Sequence, residues 1–178
     1  TGSATESNNT ALFGTVQAHP DRRHIITTSV EHPSVLEVGK ELARRRLDVT
    51  FFPVERRGAR ILAEYVRHLP QETLLASPLM ANNETGVISP IRERARSAKQ
   101  TDAGIVVHTD ATQAIGKIPV DLKDDLQQVD LLSFSGHKIN APKGVGAVFV
   151  RRGTRWRPFI IGGHQERSRR AGTENVPY

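Results

Sequence analysis

A lysine follows an apolar run late in the chain. Residues 131–134 have the composition of a buried strand, and Ser135-Gly136-His137-Lys138 comes directly after them. A charged lysine is costly in an apolar setting, so a lysine at such a strand end tends to lose its proton and become a nucleophile suited to forming an imine. Ser135 and His137 offer a hydroxyl and an imidazole N–H, which are donors that a phosphate can use. Alone, Lys138 would be a solvated surface residue; its neighbours favour the imine-forming role.

An aspartate ends a second apolar run. Residues 105–109 lead into Asp110, and Ala111-Thr112-Gln113 follows. The Asp110 carboxylate could simply cap the next helix. If a heteroaromatic cofactor lies at these strand ends, the same carboxylate would pair with a protonated ring nitrogen and keep the ring electron-withdrawing. The residues by themselves leave both interpretations open.

Three other polar stretches are weak signals singly. The stretch at positions 2–9 has small residues that lead into a helix start, where free backbone N–H groups and the Thr5 hydroxyl form an anion site. Residues 82–86 form a polar turn, and His32 stands at a helix entry before Pro33. Together the stretches supply an imine-forming lysine, an acid for a ring nitrogen, a phosphate cup and amides for a ring hydroxyl. That inventory matches pyridoxal 5'-phosphate.

The elements that must position these residues alternate along the chain. Strands are predicted at residues 24–28, 49–52, 73–77, 105–109, 131–134 and 146–150. Helical spacing falls between several of them, at residues 34–46, 59–69 and 90–100, and a capping box from Ser3 to Glu6 precedes a helix over residues 10–16. The alternation predicts an α/β fold, with a mostly parallel sheet flanked by helices on both faces. In such sheets, ligands bind beyond the carboxyl ends of the strands.

Composition narrows the class of protein. The chain has 178 residues with 37% hydrophobic and 25% charged, which is typical of one large globular domain rather than a disordered chain. No apolar run is long enough to cross a bilayer and no signal peptide is visible, so we expect no membrane association and a cytoplasmic protein. With no cysteine, the chain has neither a disulfide framework nor a thiolate metal site, and we expect no metal.

The charge of the chain raises the question of nucleic acid. The formal net charge is +6 at pH 7, but the basic residues fall on separate segments without interleaved aromatics. These segments are residues 22–23, 44–46, Arg56-Arg57, 151–157 and 167–170. We therefore expect a solvated basic surface, or one complementary to an acidic segment, and no nucleic-acid partner.

The order and wording of the motifs resemble class-V aminotransferase-fold enzymes, and most closely the NifS/IscS cysteine desulfurases. The resemblance covers essentially the whole chain and implies the large, pyridoxal-phosphate-binding domain of fold type I. It also implies that residues 1–178 are a partial domain, without the preceding N-terminal segment and the C-terminal small domain. The matching stretches are residues 4–9, 27–32, 82–86, 108–110, 135–138, 142–144, 162–166 and 170–175.

The resemblance assigns a role to each site residue. Lys138 would carry the cofactor as a Schiff base and shuttle the proton at the substrate Cα, and His32 would stack on the ring as a catalytic residue. The other cofactor contacts would be Asp110 on the ring nitrogen; Asn83 and Gln113 on the ring hydroxyl; Ala4, Thr5, Ser135 and His137 at the phosphate; and Thr173, supplied by the neighbouring subunit of a homodimer, completing the phosphate site.

The implied reaction moves sulfur from L-cysteine to a protein cysteine, leaving alanine and a persulfide for Fe-S cluster assembly or another acceptor pathway. A sulfur-acceptor or scaffold protein is therefore an expected partner. In the family, the persulfide cysteine and the substrate-binding arginine lie beyond the stretch matched by Thr173, so we expect the 178 residues alone to be inactive. The alternatives are another class-V enzyme, such as a selenocysteine lyase or aminotransferase, and a non-catalytic cofactor-binding fragment.

Overall fold

A six-stranded sheet forms the centre of the computed structural model, which describes residues 1–54 and 58–177, without the side chains of residues 58–61 and 63. The strands are β1 (His24–Thr28), β2 (Asp48–Phe52), β3 (Thr73–Ser77), β4 (Val106–Asp110), β5 (Leu131–Ser135) and β6 (Gly146–Val150). Their order is β2-β1-β3-β4-β5-β6. All neighbours are parallel except β6, which runs antiparallel to β5.

Helices connect the strands. They are α1 (Ala4–Ala18), α2 (Pro33–Arg44), α3 (Gly58–Arg67), α4 (Ile91–Thr101) and the single turn α5 (Gln165–Ser168), and a 3-10 turn spans Gly136–Ile139. Pro33 occupies the first turn of α2, where its missing N–H has no intrahelical partner to lose. Ser3 is the N-cap of α1 and its hydroxyl accepts from the Glu6 N–H at 3.3 Å.

Two apolar clusters lie on the two faces of the sheet. One contains Ala11, Leu12, Val35 and Val38 from α1 and α2 against strand residues such as Leu75. The other packs α3 and α4, including Tyr65, Ile91 and Ala95, against the opposite face. The strands β1, β3 and β4 are buried along their whole length, as expected for parallel strands covered on both sides.

The predicted elements are confirmed, with two corrections at their ends. The strands predicted at residues 24–28, 73–77 and 146–150 match β1, β3 and β6; β2 and β5 differ from their predictions by one residue at one end, and β4 by one residue at both ends. The first helix begins at Ala4 rather than near residue 10, because the small polar residues after Ser3 are already helical. The capping box is half-formed: Glu6 turns to the Gly2 N–H at 2.8 Å and to Arg170 instead of returning to the N-cap.

Two sequence expectations concern membranes and charge. In the described part of the chain, no helix has the length and apolar character needed to span a bilayer. The basic residues Arg56 and Arg57 lie outside the described residues. The remaining basic segments lie on different elements, at the ends of β1, α2 and β6 and around α5.

Candidate active site

One cavity opens at the carboxyl ends of the parallel strands. Because β1, β3, β4 and β5 point the same way, the loops that follow them meet at one edge of the sheet. The N-terminus of α1 closes the same space. The cavity has a volume of about 180 Å³ and is lined by Ser3, Ala4, Thr5, His32, Leu79, Ala81, Asn83, Asp110, Thr112, Gln113, His137 and Lys138.

Asp110 is the buried charge of this cavity. It ends β4 and is 2% exposed. Its Oδ2 accepts from the Asn8 amide at 2.8 Å, and its Oδ1 accepts from the Thr112 N–H at 2.9 Å. Both donors are neutral, and within the described residues no Lys, Arg or His side chain lies within ion-pair distance of this carboxylate. A buried carboxylate without a cation is costly, so the site is built for a positively charged ligand atom.

His32 lies at the mouth of the cavity as the N-cap of α2. Its Nδ1 accepts from the Ser34 N–H at 3.1 Å and pairs with the Ser34 hydroxyl at 2.8 Å. The ring is therefore held at one nitrogen by a residue of its own helix. This fixed imidazole beside Asp110 is consistent with the ring-stacking role predicted for it, which stays a prediction.

The α1 end of the cavity has the donors for an anion. Ala4 and Thr5 are the first two residues of the helix, and their N–H groups have no carbonyl within the helix to bond. Across the cavity, Ser135 Oγ lies 2.7 Å from His137 Nδ1. Ser135 itself is 1% exposed and sits behind His137 rather than in the cavity lining. Helix N–H groups, the Thr5 hydroxyl and an oriented imidazole form a suitable cup for a phosphate.

The surroundings of Lys138 differ from the apolar setting expected for it. The strand ends at Ser135, and the chain turns through Gly136–Ile139, which lifts Lys138 to the rim of the cavity, where it is exposed. The turn closes at Asn140, whose φ of 65° is tolerated by asparagine, and the Ala141 N–H bonds the Gly136 carbonyl at 3.0 Å. Lys138 thus lines the cavity from its exposed rim, and the imine-forming role stays a prediction.

Asn83 and Gln113 both line the cavity, as predicted. Asn83 lies in the exposed turn after β3, whose shape is set by Asn82 Oδ1, which accepts from the N–H groups of Glu84 and Thr85. Gln113 follows β4, and its Oε1 accepts from Lys117. The two amides approach the cavity from neighbouring strand ends.

Thr173, like Ser135, is a predicted site residue that does not line the cavity of its own chain. It is exposed in the segment after α5. That segment is tied to α1 because Arg170 donates to Glu6 from Nε at 2.9 Å. Burial alone would raise the pKa of Glu6, but the hydrogen bonds from Arg170 and Gly2, together with the charge of Arg170, lower it overall.

Two buried titratable residues behind the cavity, His108 and Glu31, interact electrostatically with Asp110, and sequence reasoning assigned them no role. His108 lies between Ser77 Oγ at 2.8 Å and Ser133 Oγ at 2.9 Å, and burial lowers its pKa to about 4. Glu31 accepts from the Thr28 hydroxyl at 2.5 Å and from the Leu79 N–H at 2.7 Å, and burial raises its pKa to about 8. His108 lies inside the apolar run of β4, where a polar residue was the available signal, whereas Glu31 lies in the turn after β1 and its burial comes from tertiary packing.

Comparison with known proteins decides the family. The family model described as "Aminotransferase class-V" matches residues 1–178. The chain belongs to the class-V aminotransferase family. Enzymes of this family depend on pyridoxal phosphate, and the cavity fits that group: it offers an uncompensated buried carboxylate for a ring nitrogen, an anion cup for a phosphate and a lysine at its rim.

Individual class-V relatives narrow the comparison. "Cysteine desulfurase 2" of Trichormus variabilis is 49% identical over 177 residues, which cover 99% of this chain and 44% of that protein. A solved "NifS-like protein" superposes with a TM-score of 0.94 at 43% identity, covering 99% of this chain and 48% of the other. A solved structure of "SspA in complex with cysteine" gives a TM-score of 0.91 at 36% identity, covering 99% and 51%. The chain therefore spans about half the length of the relatives that it matches.

Proposed function

We propose that this chain is the cofactor-binding part of a cysteine desulfurase, an enzyme that moves sulfur from L-cysteine to a protein cysteine and releases alanine. The observation that carries the proposal is the buried Asp110 carboxylate, which has no cationic partner among the described residues and shares one cavity with Lys138 and the α1 N-terminus. The desulfurase assignment is supported by the names of the similar proteins, and the substrate by the solved complex of one relative, SspA, with cysteine.

Each residue has a task that its position allows. Asp110 holds a protonated ring nitrogen, Ala4, Thr5 and His137 hold the phosphate, and Asn83 and Gln113 face the ring hydroxyl. When bound, pyridoxal phosphate supplies an electron sink that stabilises negative charge on the substrate carbon. Lys138 attaches the cofactor and then moves the proton at the substrate Cα, for which an amine at the rim is well placed.

The thiolate that attacks the substrate sulfur must come from outside these residues. The 178-residue sequence has no cysteine, so no persulfide can form on it. The missing thiol is also the one observation that favours a second candidate function, a cofactor-binding module without sulfur chemistry of its own. The two candidates differ in whether a cysteine-bearing segment completes the site.

The same proposal covers the cellular location, the oligomeric state and the partner proteins of the enzyme. We infer a cytoplasmic homodimer in which Thr173 completes the phosphate site of the other subunit, because Thr173 is exposed and away from its own cavity. An acceptor or scaffold protein would receive the sulfur, for Fe-S cluster assembly or another sulfur-transfer pathway.

A trapping experiment tests the cofactor site. Pyridoxal phosphate is added to the purified chain, the visible absorbance is recorded, and borohydride reduction is followed by peptide mapping. We expect the label on Lys138 and its loss in Lys138→Ala, whereas Lys143→Ala, which alters an exposed lysine in the next turn, retains it. Label distributed over surface lysines in both variants would contradict the proposal.

A mixing experiment tests the shared site. Neither Lys138→Ala nor Thr173→Ala should bind the cofactor like the parent chain. In a mixed dimer, one site loses both residues and the other regains both, so mixing the two variants should restore specific binding. Unchanged binding by Thr173→Ala alone, or no recovery on mixing, would argue against the dimeric site.

A further inference from the structure

A buried asparagine joins the two sides of the cavity. Asn8 lies on α1, is fully buried and is not part of the cavity lining. Its Nδ2 donates to Asp110 Oδ2 at 2.8 Å and to Ser34 Oγ at 2.9 Å. One amide group therefore contacts the carboxylate on β4 and the first turn of α2, which carries His32 as its N-cap.

The orientation of the Asn8 amide follows from its partners. An ionised carboxylate only accepts hydrogen bonds, so Nδ2 must face Asp110; the reversed amide would set two acceptor oxygens against each other. In this orientation Asn8 Oδ1 is buried without a hydrogen-bond partner among the described residues. An unsatisfied buried acceptor destabilises a fold. The two hydrogen bonds that Asn8 Nδ2 donates are therefore made at a cost to stability.

The hydrogen bonds of Asn8 extend through Ser34 to His32. Ser34 Oγ accepts from Asn8, so its own proton is available for His32 Nδ1 at 2.8 Å. The Ser34 N–H is directed at the same ring nitrogen at 3.1 Å. With two donors directed at it, Nδ1 keeps its lone pair, and the neutral ring carries its proton on Nε2.

We propose that Asn8 is a positioning residue that, through one amide, orients the Asp110 carboxylate and directs the Ser34 hydroxyl proton to His32 Nδ1, which reinforces the Nε2–H tautomer set by the Ser34 N–H. The consequence for cofactor binding rests on the proposed function. The consequence for His32 does not, because it follows from the protein's own hydrogen bonds. Asn8 acts through Asp110 and Ser34 and does not itself line the cavity.

The test compares Asn8→Ala with Asn9→Ala. Asn9 is the adjacent asparagine, and its side chain bonds only the Thr5 carbonyl of its own helix. We expect Asn8→Ala to bind pyridoxal phosphate about 10- to 100-fold more weakly, the range for losing a hydrogen bond to a charged group. The ¹⁵N resonance of His32 Nδ1 should shift toward that of a less hydrogen-bonded nitrogen, because the Ser34 hydroxyl proton is no longer directed at it by Asn8. Asn9→Ala should retain the parent affinity and spectrum.

A second variant separates the hydrogen bond from Asn8 to Asp110 from the path through Ser34 to His32. Ser34→Ala removes the hydroxyl between Asn8 and His32 but leaves the bond from Asn8 to Asp110. It should alter the His32 spectrum while the cofactor affinity stays close to that of the parent chain. If Asn8→Ala does not fold, as judged by circular dichroism, Asn8→Ser replaces it and should show both changes.

The outcomes distinguish the two proposals. If the parent chain fails to bind pyridoxal phosphate specifically, the proposed function fails, and the His32 spectra still test the network. If the parent binds the cofactor but the Asn8 variant matches it in affinity and in the His32 spectrum, the positioning role is wrong. A change in the spectrum of Asn9→Ala equal to that of the Asn8 variant would also overturn it.

Discussion

One face of β4 presents two titratable side chains with different electrostatic properties, Asp110 and His108. Asp110 reaches the cavity, while His108, two residues earlier, lies below it between two serine hydroxyls. Alternate residues of a strand share a face, so both belong to the same buried layer. The imidazole is neutral there because burial disfavours its charged form, and the nearby Asp110 charge only partly offsets that effect. The layer therefore places a neutral hydrogen-bonding ring two residues before the Asp110 carboxyl group.

The first prediction concerns His108. Because burial lowers its pKa from 6.5 to about 4, the unfolded chain takes up this proton before the folded chain does. This residue's contribution to the unfolding free energy is complete above about pH 6.5 and is lost as the pH falls toward 4, by up to about 3 kcal/mol. Urea unfolding of the parent chain and of His108→Gln between pH 4 and 7 measures this contribution to the unfolding free energy. The difference between them should shrink with falling pH; a difference independent of pH would refute the assignment.

At the scale of elements, short contacts between loops hold the cavity together. Glu31 begins the turn into α2 and receives the Leu79 N–H from the loop after β3, so it fastens two strand ends to each other. The N-terminus of α1 is fastened to β6, because the Gly146 N–H donates to the Thr1 carbonyl at 2.7 Å. The geometry of the cavity thus depends on contacts between segments far apart in the chain.

Glu31 provides a test with the opposite sign of pH dependence. Burial, reinforced by the Asp110 charge, raises its pKa from 4.5 to about 8, so the folded chain keeps a proton that the unfolded chain releases. Its contribution to the unfolding free energy is complete below about pH 4.5 and is lost as the pH rises toward 8. We expect the parent to lose stability relative to Glu31→Gln over this window, in urea unfolding at matched ionic strength. A constant difference would mean that Glu31 is ionised in the folded chain.

Gly146 provides a steric test of the α1 end. A Cβ at this position would lie 2.6 Å from the Ser3 backbone carbon, so the helix start must move away from β6. We expect Gly146→Ala to destabilise the fold by about 1–3 kcal/mol and to weaken phosphate binding at Thr5. Thermal unfolding and titration with inorganic phosphate measure the two effects.

Gly163→Ala is the control for that test. Its Cβ would meet only the end of the flexible Gln165 side chain, which can move aside. Stability and phosphate binding should stay near those of the parent chain. Equal losses in the two variants would mean that close approach at the α1 N-terminus is unimportant.

At the scale of the whole molecule, the proposed function assigns cofactor binding to this chain and the thiol chemistry to a cysteine outside these 178 residues. No cysteine occurs in the 178 residues, although the cavity has the residues for the cofactor. The chain also spans about half the length of its desulfurase relatives. Cofactor binding and sulfur transfer are therefore separable in experiment.

The last prediction uses that separation. With pyridoxal phosphate and L-cysteine, the 178-residue chain should release no alanine by sulfur transfer and form no persulfide, as measured by amino-acid analysis and a persulfide-selective label. Addition of a complementary polypeptide that bears the persulfide cysteine should produce alanine. Desulfuration by the chain alone would refute the division, and a mutated cysteine in the complementary polypeptide is the control.

The sequence by itself determined the α/β class and the strand positions, because hydrophobic runs and turns are local properties. The cofactor roles that the motif resemblance assigns stay predictions, although most of those residues line one cavity. The sequence did not determine that Asn8 donates to Asp110 and to Ser34. These partners lie 102 and 26 positions further along the chain, and they come within reach only after the sheet has formed. It misjudged the setting of Lys138, because a 3-10 turn after β5 carries that residue out of the apolar layer. The tertiary structure also decided the neutral state of His108 and the raised pKa of Glu31, because desolvation depends on what packs around a group rather than on its neighbours in the chain.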